Sequence, residues 1–232
     1  MDYTKNIRTL VGNNTYNYGD AMYGRGPWRT LRKSLRNEDE FTGSFLNEYF
    51  LARGTSFKKK NAFDPDLVRS VFDKLSFSKK YKYDPDCLYI HLRAGDVLHV
   101  LQNHTNLTRQ ESKVLNTRFN NLNCINPMRI CKFFEDHLGC CSKAVFVTAS
   151  HFSYDVWSHS DAAEKNATLV LNNFLTSVKN CSKLPFGILE DVREFSDVEF
   201  IDYNFYVLCT APHVILDQGG FSEVIKNYRS TK

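Results

Sequence analysis

The chain reads as an α/β protein built on a parallel sheet with helices on its faces. Three observations carry that reading. From Cys87 onward, short apolar runs alternate with helical segments, the pattern of strands joined by helical crossovers. The run Leu88 to Leu92 is continuous rather than alternating, as in a buried strand. The chain has 232 residues, 42% of them hydrophobic, which is enough to bury a sizeable core.

The elements follow in order. Ile7 to Val11 is a short strand that runs into the turn Gly12-Asn13-Asn14. Helices are expected from about Trp28 to Leu35 and around Phe45 to Ala52. Asp64-Pro65 opens another, with Asp as N-cap and Pro in the first turn. Leu67, Val68, Val71, Phe72 and Leu75 make its apolar face. The charged stretch 79–85 reads as a hinge, which divides the chain into residues 1–84 and 85–232. In the second part, strands are predicted at Cys87–Leu92, Ala144–Thr148, Thr168–Leu171 and His213–Leu216. Helices are predicted at Pro127–Leu138, Tyr154–Lys165, Val198–Thr210 and Phe221–Tyr228. Residues 98–126 fit no element, and so long a loop beside a sheet is suited to shaping an acceptor site.

Composition narrows the function classes. A net charge of +4 is too small to argue for nucleic acid, though ample for a nucleoside diphosphate. No apolar stretch reaches the length of a membrane span, and the first residues lack the apolar core of a secretory signal. The seven cysteines include no Cys-x-x-Cys, and Cys87, Cys131 and Cys209 sit in apolar patterns as reduced core thiols. A reducing, cytoplasmic setting follows as the expectation. The sequons at Asn13, Asn103, Asn106, Asn166 and Asn180 would matter only in a fragment of a secretory-pathway protein.

The segment from Asp86 to Asp96 is the most chemically pointed. His91 and Arg93 lie two residues apart, on one face of a strand, just before the turn Gly95-Asp96. Ligands of open α/β sheets bind at the carboxyl ends of strands, and a guanidinium fork matches phosphate oxygens. A second anion-binding feature follows the last strand. There Gly219-Gly220 and then Phe221-Ser222 open a helix, whose first N–H groups and dipole favour a phosphate. Asp64-Pro65-Asp66 and Asp84-Pro85-Asp86 resemble a metal-binding Asp-x-Asp, but no apolar strand precedes either, and both read as turn or helix-start signals.

The pattern His91-x-Arg93-x-Gly95-Asp96 resembles a motif of the fucosyltransferases, metal-independent enzymes that use GDP-fucose. The strand, small-residue turn and Phe-Ser helix start near the C-terminus are also similar to that family. The resemblance spans roughly residues 86 to 229. It implies a GT-B-like fold of two Rossmann-like lobes, here with a reduced N-terminal lobe. It implies an inverting glycosyltransferase acting on a glycan hydroxyl, with a nucleotide-sugar donor and no further cofactor. Arg93 would contact the donor diphosphate, with His91 and Asp96 as candidate catalytic groups and Asp96 as the base. Donor contacts would come from Gly95, Gly12, Asn13, Thr148, Ser150, Asp202, Gly219, Gly220, Phe221 and Ser222. A UDP-sugar such as UDP-xylose is the alternative donor. A non-catalytic nucleotide-sugar or glycan-binding module is the alternative class. Asn17-x-Gly19-Asp20 also resembles polysaccharide pyruvyl transferases.

Overall fold

The computed structural model describes residues 7–11, 69, 83–92, 94–95, 126–152, 161–189, 197–217 and 220–231. The chain divides into two compact units. One comprises Met1–Gly12, Asp84–Asp191 and Ala211–Gln218; the other comprises Asn13–Tyr83, Val192–Thr210 and Gly219–Lys232. One edge of this division, between Tyr83 and Asp84, falls beside the expected hinge. The second unit also takes residues 192–210 and 219–232, which the division at 84/85 assigned to the other part.

The first unit is built on parallel strands. These are β1 (Thr9–Val11), β2 (Cys87–His91), β3 (Ala94–Gly95), β4 (Lys143–Val147), β5 (Ser150–Phe152), β6 (Phe186–Ile188) and β7 (His213–Leu216). The larger sheet has the order β6-β4-β2-β7, and every pairing in it is parallel. Counted from its own first strand, that order is 3-2-1-4, the Rossmann-type arrangement that reverses direction between the first and fourth strands. The smaller sheet, β1-β5-β3, is parallel too. β3 and β5 follow β2 and β4 after short breaks, and the Leu92 N–H still donates to the Val147 carbonyl at 3.1 Å between them. Ser150 and His151 therefore belong to a strand that extends β4, where the sequence reading ended the strand at Thr148.

Helices α1 (Pro127–His137) and α2 (Asp161–Cys181) share one core with this sheet. Asn126 caps α1, its Oδ1 accepting from the Met128 and Arg129 N–H groups at 3.0 and 3.3 Å, with Pro127 at the first helical position. Leu88, Ile90, Leu92 and Ala94 alternate along one face of β2 and β3, and they join Ile130 and Phe134 of α1 in that core. Phe146 of β4 sits at the centre, its ring centroid 5.5 Å from Phe186, 6.2 Å from Phe174 and 6.3 Å from Phe134.

The expected strand Thr168–Leu171 is instead the middle of α2. Ala163, Ala167, Leu171, Phe174, Leu175 and Val178 are its buried positions, a helical stripe that overrides the β-branched look of a four-residue window. The third strand of the sheet is β6, and its Gly187 hid a strand of three residues. The two helices are joined by a Cys131–Cys181 disulfide, with Cα atoms 6.0 Å apart. Cys131 is thus not the reduced thiol expected of it. An apolar setting on each helix concealed that the two sulfurs face one another across the helix pair.

Asp84-Pro85-Asp86 is a turn into β2, as its residue types suggested. The Asp86 N–H donates to Asp84 Oδ1 at 3.0 Å, and the Asp84 N–H donates to the Tyr89 hydroxyl at 2.9 Å. Lys143 lies 3.0 Å from Asp84 Oδ2, and that hydrogen bond holds the carboxyl below its ordinary range and the ammonium above its own. The other motif, Asp64-Pro65-Asp66, lies outside the described residues.

In the second unit, α3 (Asp197–Thr210) packs against α4 (Gly220–Arg229). Residues 203–209 of α3 are all buried, as expected of a helix that is apolar nearly all round. Arg229 donates through Nη1 to the carbonyls of Leu208 and Cys209 at 3.2 and 3.4 Å, capping the negative end of α3. No described helix is long and apolar enough to cross a membrane.

Candidate functional site

The switch point of the parallel sheet lies between β2 and β7, where His91 pairs in register with Leu216. On the other side of β2, His91 pairs with Val147 of β4. The next residue along each of these three neighbouring strands is Thr148, Leu92 and Asp217 respectively. All three are buried, at 5%, 1% and 1% exposure. The carboxyl edge of the sheet therefore carries a hydroxyl and a carboxyl side chain within its interior.

Thr148 is the informative member. Its Oγ1 is buried and has no hydrogen-bond partner. A buried hydroxyl left unsatisfied costs about 1–3 kcal/mol. Such an expense at the carboxyl edge of a Rossmann-type sheet is what a ligand's hydrogen bond would offset. Asn204 Oδ1, in α3 of the second unit, is the other such atom among the described residues.

The sequence-derived residues distribute as follows. His91 ends β2 and is half-buried, on the opposite face of that strand from Ile90 and Leu92. Gly95 lies in β3, Thr148 directly after β4, and Ser150 at the start of β5. These four belong to the first unit, beside the switch point or on the strand extensions that lead away from it. Asp202 lies within α3 of the second unit. Gly220, Phe221 and Ser222 form the first turn of α4 in the same unit, and Ser222 is fully buried. Arg93, Asp96, Gly12, Asn13 and Gly219 lie outside the described residues.

Sequence reasoning missed Asp217 as a site residue. The signal was present: an aspartate directly after the apolar run His213–Leu216 is poorly explained by turn chemistry if the strand ends buried. It read the adjacent Cys140-Cys141 as suiting neither a zinc knuckle nor an easy disulfide, and did not bring His213 to them. At the amino-terminal edge of the sheet, Cys140, Cys141 and His213 bring their ligand atoms within 4.8 Å of one another. Burial first, then the neighbouring Cys140 thiol, push the Cys141 thiol up to about 12. Burial likewise pushes Cys87 up to about 11. Neither is a thiolate nucleophile at neutral pH.

No family model, no curated protein and no solved structure matches this chain.

Proposed function

We propose that the chain is an inverting, nucleotide-sugar-dependent glycosyltransferase that binds its donor at the carboxyl edge of β4, β2 and β7, with GDP-fucose as the leading donor. The observation that carries the reading is the partnerless, buried Thr148 hydroxyl at the carboxyl end of β4, on the same sheet edge as buried Asp217 at the end of β7. The motif His91-x-Arg93-x-Gly95-Asp96 begins on the central strand of that edge, and its resemblance to fucosyltransferases supplies the donor class. A second, reduced lobe of GT-B type belongs to the same reading.

In this reading an acceptor hydroxyl attacks the anomeric carbon as the sugar–phosphate bond breaks. The acceptor proton passes to Asp96, and the nucleoside diphosphate leaves with its full negative charge. Arg93 neutralises that charge without a divalent ion. Thr148 and Asp217 hold the nucleoside portion. The Cys131–Cys181 bridge supports an oxidising compartment over the cytoplasm. The exposed sequon residue Asn180 would then be open to glycosylation.

A thermal-shift panel of GDP, GDP-fucose, UDP, UDP-xylose and phosphoenolpyruvate tests the reading. At a hundred times its dissociation constant, the true ligand adds about 2.7 kcal/mol of stability. GDP and GDP-fucose are expected to give the largest shifts. Arg93→Ala is expected to keep the far-UV spectrum and to lose about a hundredfold or more in transfer rate, the scale of a lost transition-state donor. Absence of any nucleotide shift, or full transfer by Arg93→Ala, would overturn the proposal. Binding without turnover on any acceptor would favour the non-catalytic module instead.

A further inference from the structure

The geometry points to a zinc site formed by Cys140, Cys141 and His213 at the amino-terminal edge of the sheet, the opposite edge from the proposed donor site. The topology assembles it from distant segments. α1 ends at His137, a short turn leads to Cys140 and Cys141 just ahead of β4, and His213 opens β7. The chain reverses tightly there, because the N–H groups of Cys140 and Cys141 both donate to the His137 carbonyl, at 3.1 and 2.9 Å. That turn aims both sulfurs at one point.

Two of the three ligand-atom separations are close to those of a bound metal, and the third is within 4.8 Å. Tetrahedral zinc with Zn–S bonds of about 2.3 Å and Zn–N bonds of about 2.0 Å sets two sulfurs about 3.8 Å apart, and a sulfur and a nitrogen about 3.5 Å apart. Here the two Sγ atoms are 3.8 Å apart, and Cys140 Sγ lies 3.9 Å from His213 Nδ1. Two thiolates and an imidazole form a donor set that selects zinc among the common divalent ions. The site also adjoins the C-terminal end of α1, whose dipole favours a cation. Cys140 is exposed, so a water completes the coordination on the solvent side. Binding releases the two thiol protons to solvent.

A disulfide between these two cysteines is the competing use, and chain geometry opposes it. Adjacent Cα atoms are about 3.8 Å apart, short of the roughly 4.4–6.8 Å that disulfides span. In a setting that oxidises Cys131 and Cys181, coordination would protect an exposed thiol that is in no disulfide.

Cobalt(II) is the probe. One equivalent added to the anaerobic, metal-free full chain, its Cys131–Cys181 bridge intact, is expected to produce a thiolate-to-cobalt charge-transfer band and tetrahedral d–d bands. One equivalent of zinc(II) should abolish both. Native mass spectrometry of the zinc-loaded protein should show a single bound ion per chain. Cys140→Ser and His213→Gln alter exposed and half-buried side chains, so the fold should survive each; both are expected to weaken cobalt binding by at least about tenfold to a hundredfold. No thiolate band with wild-type protein, or a band unchanged in both variants, would overturn the assignment. The measurement does not involve nucleotide, so its failure would leave the donor-site reading standing.

Discussion

Replacing Cys131 or Cys181 with alanine is expected to lower the free energy of unfolding by about 4 kcal/mol. The bridge closes a loop between residues 50 apart in sequence. Chain-entropy arithmetic for a loop of that length gives about 4 kcal/mol of destabilised unfolded ensemble. The bridge ties α1 to α2, the two helices that share one core with the parallel sheet. Urea denaturation of the oxidised wild type and of either variant measures the difference. Reduction should bring the wild type to the level of the variants and leave the variants unchanged. A loss below about 1 kcal/mol, or indifference of the wild type to reductant, would mean that the two sulfurs are not joined.

Phe146→Ala is expected to cost about 3–5 kcal/mol, the range for emptying a buried aromatic site. Phe146 is fully buried, and its ring lies against Phe134, Phe174 and Phe186, which come from α1, α2 and β6. Each of these rings is anchored in a separate element, so they cannot collapse together into the vacated volume. Phe146→Leu keeps most of the apolar volume and should cost much less. A midpoint shift at constant denaturant slope reads the change as stability alone. A cost for Phe146→Ala below about 2 kcal/mol would show that this aromatic cluster is not the centre of the core.

These effects also mark what was legible in the sequence. β7 and β2 stood out because each is a short apolar run bounded by turn residues. α1 stood out because Asn126-Pro127 is a start signal that acts locally. The failures share a different cause. Thr168–Leu171 looked like a strand in a window of four residues, and only the stripe from Ala163 to Val178 reveals the helix. Phe186–Ile188 is too short and too dependent on its partner β4 to announce itself. Cys131 with Cys181, and Cys140 and Cys141 with His213, are brought together by the order of strands and helices. Composition and local pattern contain no record of such pairings. Thr148 lies between the two cases: its place at the end of a strand was readable, while the missing partner of its hydroxyl belongs to the packed structure. Asp217 directly follows an apolar run, where a solvent-facing turn is the ordinary expectation, yet it is buried at the switch point.

The account depends on the carboxyl edge of β4, β2 and β7 being a ligand site, and Thr148→Val tests that most directly. Valine keeps the shape of threonine and removes the buried, unpartnered oxygen. If that oxygen is held for a ligand, the ligand-free variant should be more stable than wild type by about 1 kcal/mol or more. Its affinity for GDP, measured by calorimetry, should fall by about tenfold, the equivalent of one lost hydrogen bond of about 1.4 kcal/mol. Gained stability together with lost affinity is the predicted result. A variant that binds GDP as tightly as the wild type, or a wild type that binds no nucleotide, would contradict the account.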